Sequence, residues 1–295
     1  MNNHTKALML GLSFSLLTAC GGGGDGSGTG QMTVRLTDAP VDSAERVVVE
    51  FAGIELHQGG ATPQRFIFDT PQQIDLLQLT GGENRILLDA VTIPAGRYQQ
   101  LRLLINADED INTEESFIEF KDGAIHPLHV PSGELKLVSG FTVPEDGFAD
   151  FTIDFDLRKS VTEPGKSGKP YILRPTLRLV ATNSAGAIEG VISASQAAEG
   201  CVPNSIDPVV YVYPGSGVTP DDIGSTTEPL SSASATPNDQ GDYVYHAAFL
   251  PAGDYTVAFT CMAAADDPAT DDDIDFSATS NVAVTSGTTS TVDFP

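Results

Sequence analysis

Oxygen ligands crowd two short stretches of this chain. The segment Asp266–Phe276 reads DDPATDDDIDF, with Asp271, Asp273 and Asp275 at alternating positions and Asp266 and Asp267 on the other side of Pro268. Carboxylates at that density suit a hard divalent cation, and weak extracellular calcium sites are built from such ligands. Asp271, Asp273 and Asp275 are therefore the candidate calcium ligands. The competing reading is a solvated acidic loop, which is routine on so negative a surface. The segment Asp108–Glu119, DEDINTEESFIE, also alternates, with Asp108, Asp110 and Asn112 leading to a distant Glu119. An EF-hand loop uses that spacing, but it needs a glycine where this chain has Thr113, and the flanks read as strands. This stretch reads as a polar hairpin tip.

Nucleophilic hydrolysis needs a nucleophile, a base and an orienting acid. Serines are plentiful, yet the chain has no G-x-S-x-G, and His57, His126, His129 and His246 stand beside no recognisable nucleophile. His126 and His129 lie three apart, so on a strand they point to opposite faces and do not make a metal pair. All four read as satisfied surface histidines. Carboxylate pairs arise by chance in so acidic a chain, which leaves a glycosidase without specific support. The absence of tryptophan removes the ring on which many sugar sites stack, although seven tyrosines remain. The expectation is a protein without a catalytic centre and without a cofactor beyond weak calcium.

The elements that would carry these residues are strands. Asp150–Leu157, DFTIDFDL, alternates apolar and polar residues and reads as a strand with one face buried and one wet. Similar runs occur at 32–37, 47–56, 66–69, 98–105, 117–120 and 171–180, and again at 187–193, 209–213, 243–249, 255–261 and 281–294. The stretches 74–79 and 86–90 fit a strand or a short helix. Helical periodicity is otherwise almost absent. The fold class is all-β: two antiparallel β-sandwich domains in tandem, or partly barrel-like ones. The phrases IPAGRYQQLRLLI from Ile93 and LPAGDYTVAFTC from Leu250 recur in both halves. Pro-Ala-Gly makes a tight turn that feeds the next strand.

Charge separates the halves. All fifteen Lys and Arg lie at or before Arg178, whereas Ser184 to the end holds sixteen Asp and Glu and no basic residue. The formal net charge of −25 argues against nucleic acid and anionic lipid surfaces as partners. The asymmetry predicts two domains, residues 31–182 and 183–295. At the N-terminus, Lys6, the apolar run Ala7–Leu17 and the small residues after it have the form of a secretory signal over residues 1–19.

Leu17-Thr18-Ala19-Cys20 resembles the bacterial lipobox, which implies cleavage before Cys20 and lipidation of its sulfur. Gly21–Gly30 would complete a linker, residues 20–30, between anchor and domain. Gly21 stands where an aspartate signals retention in the inner membrane, so the resemblance implies an outer-membrane lipoprotein, facing either the periplasm or the cell surface. With Cys20 committed to lipid, Cys201 and Cys261 remain as an even pair in an exported chain, where disulfides persist. Their bond would stabilise the second domain by about 4 kcal/mol.

Several phrases of the first domain resemble the bacterial family called domain of unknown function 4382: VRLTDAPVDSAERVVVEFAGIELH, IDLLQL, IPAGRYQQLRLLI, IDFDLRKSV and YILRPTLRLV. The resemblance implies an exported β-domain, commonly on a lipoprotein, and no assigned activity. In the second domain, GAIEGVI, LPAGDYTVAF and NVAVTSGTTSTVDF look like transthyretin-like or carboxypeptidase-regulatory-like sandwiches. The expected role is a binding, adhesion or cell-envelope scaffold module held to the membrane by its lipid, with a protein or glycan as ligand. The alternative is an accessory carbohydrate-binding protein using the second sandwich, and a third is a hydrolase with an unrecognised site.

Overall fold

The computed structural model describes residues 28–39, 44–107, 114–162, 169–174, 176–201 and 208–295. Cys20, the signal segment and Asp108–Thr113 lie outside them. The described residues form sandwich-like sheets, none of them closed into a barrel.

In the N-terminal half, a four-stranded sheet runs in the order Leu177–Ala181, Phe148–Asp156, Thr29–Ala39, Arg85–Pro94. A nine-stranded sheet is built around Ala44–Gln58 and Gly96–Asn106. Alternation decides which side chains meet between them, because successive residues of a strand point to opposite faces. Met32, Val34, Leu36, Ile153 and Phe155 of the first sheet pack into one buried cluster with Val47, Val49, Phe51, Leu101 and Leu103 of the second.

The C-terminal half repeats the plan with two four-stranded sheets. One is Thr236–Pro237, Tyr243–Pro251, Ala185–Ile192, Thr289–Thr291; the other is Ser231–Ser234, Val209–Pro214, Gly253–Thr260, Ala278–Val284. Ile188, Ile192, Tyr245 and Leu250 meet Val210, Val212, Val257 and Phe259 between them. Every sheet lies wholly on one side of the short turn Thr182–Ser184.

The ladders are mostly antiparallel, but Thr29–Ala39 runs parallel to Phe148–Asp156 over nine residue pairs. Shorter parallel pairings join Tyr171–Leu173 to Ile125–His129 and Ala185–Ile192 to Thr289–Thr291. Parallel neighbours need long crossover connections, which strands far apart in sequence provide. The run 171–180 is two strands in different sheets, Tyr171–Leu173 and Leu177–Ala181. Of the two ambiguous stretches, 86–90 is strand, and 74–79 divides between strand and the 3-10 turn Leu76–Leu79.

One expectation about faces is overturned. The polar face of Phe148–Asp156 is not wet: Thr152 is 0% exposed, and Asp154 and Asp156 are buried. Asp154 is ion-paired with Arg178 on the neighbouring strand. Pro214 and Glu228–Leu230 of the C-terminal half line a hollow with Asp154 and Asp156, so the covering layer comes from the other half.

The repeated Pro-Ala-Gly phrase makes the same bond twice. The Tyr98 hydroxyl donates to the Pro94 carbonyl oxygen at 2.8 Å, and the Tyr255 hydroxyl donates to that of Pro251 at 2.7 Å. Gly96 takes φ +126, a conformation that favours glycine, while Gly253 does not need one. The tyrosine after the turn is thus as much a part of the device as the turn itself, resembling the tyrosine corners of other sandwiches.

Candidate functional site

The chemistry-bearing residues gather on the outer face of a C-terminal sheet. Strand Val209–Pro214 alternates so that Val210 and Val212 enter the main core. Val209, Tyr211 and Tyr213 point the other way, into a second, smaller cluster with Ile223, Ala258 and Ala263. Two loops, 215–230 and 262–277, cover that cluster. Phe276 packs edge-on against both tyrosines, and Ile223 inserts with 2% exposure.

Burying Ile223 carries its neighbour Asp222 inward as well, to 0% exposure. Asp222 Oδ2 accepts from the backbone N–H of Asp272 at 3.0 Å. Asp266 lies beside it: its Oδ1 accepts from the Ile223 N–H at 3.1 Å, and its Oδ2 accepts from the Tyr211 hydroxyl at 2.5 Å. Gly224, at φ +107, lets the two loops touch; a Cβ there would lie 2.4 Å from the Thr270 carbonyl oxygen. The result is two overlapping groups of carboxylates, Asp222–Asp266–Asp272 and Asp221–Asp222–Asp271. In each group the ligand oxygens lie within 4.8 Å of one another.

Burial raises both inner carboxyls. Asp222 is held above the ordinary aspartate value chiefly by desolvation, to which the Asp221 side chain adds. Asp266 is raised by desolvation as well, with its bonds from Tyr211 and Ile223 pulling the other way. The phenols of Tyr211 and Tyr213 are pushed above their usual value by burial.

Asp271, Asp273 and Asp275 do alternate, and all three are exposed. Asp271 joins Asp221 and Asp222, whereas Asp273 and Asp275 belong to neither group. The residue of this run that turns inward is Asp272, half-buried between them. Asp221 and Asp222 lie about fifty residues away in sequence, and no local pattern pointed to them. The one available signal was the DDIG phrase, where an apolar residue and a glycine follow two acids in a loop.

Cys201 and Cys261 form a disulfide with a Cα–Cα separation of 5.3 Å, which ties the start of the 262–277 loop to the end of helix Ala194–Gly200. The floor of the site is reached from the other half. Arg158, on the short helix Leu157–Ser160, donates from Nη1 to the Ala263 carbonyl oxygen at 3.0 Å, and its guanidinium carbon lies 6.0 Å from the Tyr211 ring centroid. Next to it, Lys159 Nζ pairs with Glu228 at 2.7 Å and donates to the Pro229 carbonyl oxygen at 2.8 Å.

A cleft of about 540 Å³ opens along the same seam. Asp38, Gly81 and Asp154 line it from one side, and Glu189, Ser232 and His246 from the other. The His246 ring bonds to the Gly81 carbonyl oxygen at 2.7 Å. The other described histidines are also engaged. His57 bonds to buried Glu55, whose carboxyl the Arg65 guanidinium holds below the usual range. His126 packs among Phe120 and Tyr171, and His129 contacts the Ala107 carbonyl oxygen.

The fold and these contacts define an all-β protein of two successive sandwich-like units with a shared polar seam. Residues 29–175 match the family model described as "Domain of unknown function (DUF4382)", which supports that family for the N-terminal half. No curated protein matches the chain. Among solved structures, the Bacillus anthracis TIE protein is similar at 11% identity over 90% of this chain, with a TM-score of 0.19. The match covers 33% of the TIE chain, so this chain spans about one third of its length. The fimbrial anchor protein Mfa2 from Porphyromonas gingivalis is similar at 10% identity over 78% of each chain, with a TM-score of 0.17. At TM-scores this low, neither similarity carries an argument about this chain.

Proposed function

We propose that the chain is an outer-membrane-anchored lipoprotein whose two domains, residues 31–182 and 183–295, act as a non-enzymatic binding, adhesion or cell-envelope scaffold module. The observation that carries this reading is the use made of charged groups at the seam, buried Arg158 and half-buried Lys159. Arg158 and Lys159 are spent on bonds that fasten one half to the other. Taking a charged side chain out of water is costly, and here the return is a fixed relation between two sandwiches. A module that holds a partner or bears load between membrane and surface needs that rigidity. The lipobox ending at Cys20 supports the anchor.

The test is a deletion strain complemented with either the natural chain or Cys20→Ser. The natural chain should restore attachment and envelope integrity and fractionate with the outer membrane, while Cys20→Ser should do neither. Full restoration by unanchored Cys20→Ser, or a hydrolase activity that tracks with the purified protein, would overturn the proposal. A second reading, glycan binding, rests on the hydroxyl groups of Ser231, Ser232, Ser234 and Thr236 along the cleft. Specific retention on a glycan array would favour it.

A further inference from the structure

We propose that Asp222, Asp266 and Asp272, with Asp221 and Asp271 at the mouth, form a calcium-binding site between the 215–230 and 262–277 loops. This inference is independent of the role proposed above. Two oxygens each about 2.4 Å from one ion lie at most about 4.8 Å apart. The carboxylates of each group meet that condition, and Asp222 belongs to both groups.

A second observation separates this cluster from an ordinary acidic surface. Asp222 is 0% exposed, and its Oδ1 has no hydrogen-bond partner among the described residues. A buried carboxylate oxygen left in that state carries its full cost of desolvation, and native structures keep such groups when an ion or a water completes them. Here the neighbours are further carboxylates, whose negative charge favours a positive completing group. No Lys or Arg follows Arg178 in the chain, and Arg158 acts on Asp266 from the floor of the site.

The donor set selects the ion. All the groups offer hard oxygen, which suits calcium or magnesium rather than a softer metal. Magnesium keeps most of its waters and takes one or two carboxylates, whereas calcium accepts six to eight oxygens in flexible geometry. Several aspartates from two loops, one of them fully dehydrated, match calcium. The disulfide Cys201–Cys261, the Gly224–Thr270 contact and the Tyr211–Asp266 bond hold the loops in place before any ion arrives.

The experiment is thermal unfolding of the full-length protein in detergent with CaCl₂, with MgCl₂, and with NaCl at matched ionic strength. It is paired with terbium luminescence excited through tyrosine, since the chain has no tryptophan and Tyr211 donates to Asp266. At tenfold saturation, calcium should raise the midpoint by about 2–4 °C beyond the NaCl control. Terbium emission should be displaced by calcium. Asp222→Asn should abolish both responses and leave the calcium-free midpoint equal to or above that of the natural chain, because it removes a buried charge. A structural role alone would lower that midpoint. Asp273→Asn with Asp275→Asn should keep both responses. Should Asp222→Asn fail to fold, half-buried Asp272→Asn carries the same comparison. Equal shifts in all three salts, a response that survives the Asp222 or Asp272 substitution, or one lost with Asp273 and Asp275 would overturn the site.

Discussion

The Arg158 guanidinium and the Ala263 carbonyl oxygen meet at 3.0 Å across 105 residues of sequence. The donor lies on the short helix that follows strand Phe148–Asp156 of the N-terminal sandwich, and the acceptor opens the acidic loop of the C-terminal one. Through this bond, the packing of one half fixes where the other half's carboxylates stand.

Arg158→Met should therefore cost about 2–3 kcal/mol, from the lost charge-assisted bond and the lost contact with the Tyr211 ring. Urea unfolding should show the two halves separating into distinct transitions. Arg158→Lys should recover little, since a single ammonium does not reproduce a planar guanidinium. A single unshifted transition in the Met variant would show that the seam rests on other contacts.

Tyr98→Phe and Tyr255→Phe each remove one hydroxyl bond to a proline carbonyl oxygen. Each should cost about 1 kcal/mol in chemical denaturation. The two lie in separate cores, so the double variant should show the sum of the single losses to within about 0.5 kcal/mol. A double variant that loses much more than the sum would mean that the halves are coupled through these corners.

Asp156 gives a pH signature. Burial pushes its carboxyl up to about 6, against 3.8 in an unperturbed aspartate, although Lys159 and Arg158 pull it down; Asp154 adds to the rise. Since the folded state holds this proton more tightly than the unfolded chain, the group's contribution is fully present below pH 3.8 and is lost as pH rises through about 6. Asp156→Asn mimics the protonated form and keeps an oxygen for the Lys159 N–H. The variant should match the natural chain at low pH and exceed it by up to about 3 kcal/mol above pH 6. A stability difference that does not change with pH would refute the assignment.

Reduction of Cys201–Cys261, or replacement of both by Ser, reopens a loop spanning 60 residues and should lower the stability of the C-terminal half by about 4 kcal/mol. Mass spectrometry of exported, unreduced protein should recover the two cysteines in one linked peptide pair. Two alkylatable thiols in that sample would contradict the bond.

Local periodicity determined the fold class. A period of two is a property of the strand itself, so Thr29–Ala39, Ala44–Gln58, Gly96–Asn106 and Gly253–Thr260 were legible from alternation with boundaries off by a few residues. The strand Ser231–Ser234 was not legible, because a serine-rich run carries no apolar alternation and forms only by pairing with Val209–Val212. The repeated Pro-Ala-Gly phrase marked two turns, but its tyrosine bonds back to proline only once the strand has folded over.

Tertiary structure decided which face of each strand is wet and which acids converge. Asp154 and Asp156 alternate as solvent-facing residues should, yet they are buried and share a hollow with Pro214 and Glu228–Leu230 of the other half. The same limit applies to the carboxylates. Alternation singled out Asp271, Asp273 and Asp275, all three of which are exposed, but a strand-like period cannot say which residues of the loop face the protein. That was settled by Ile223, whose burial beneath the tyrosines brings Asp222 to meet Asp272 and Asp266. Burial depends on what packs from a distance, and distant packing has no signature in a local pattern of residues.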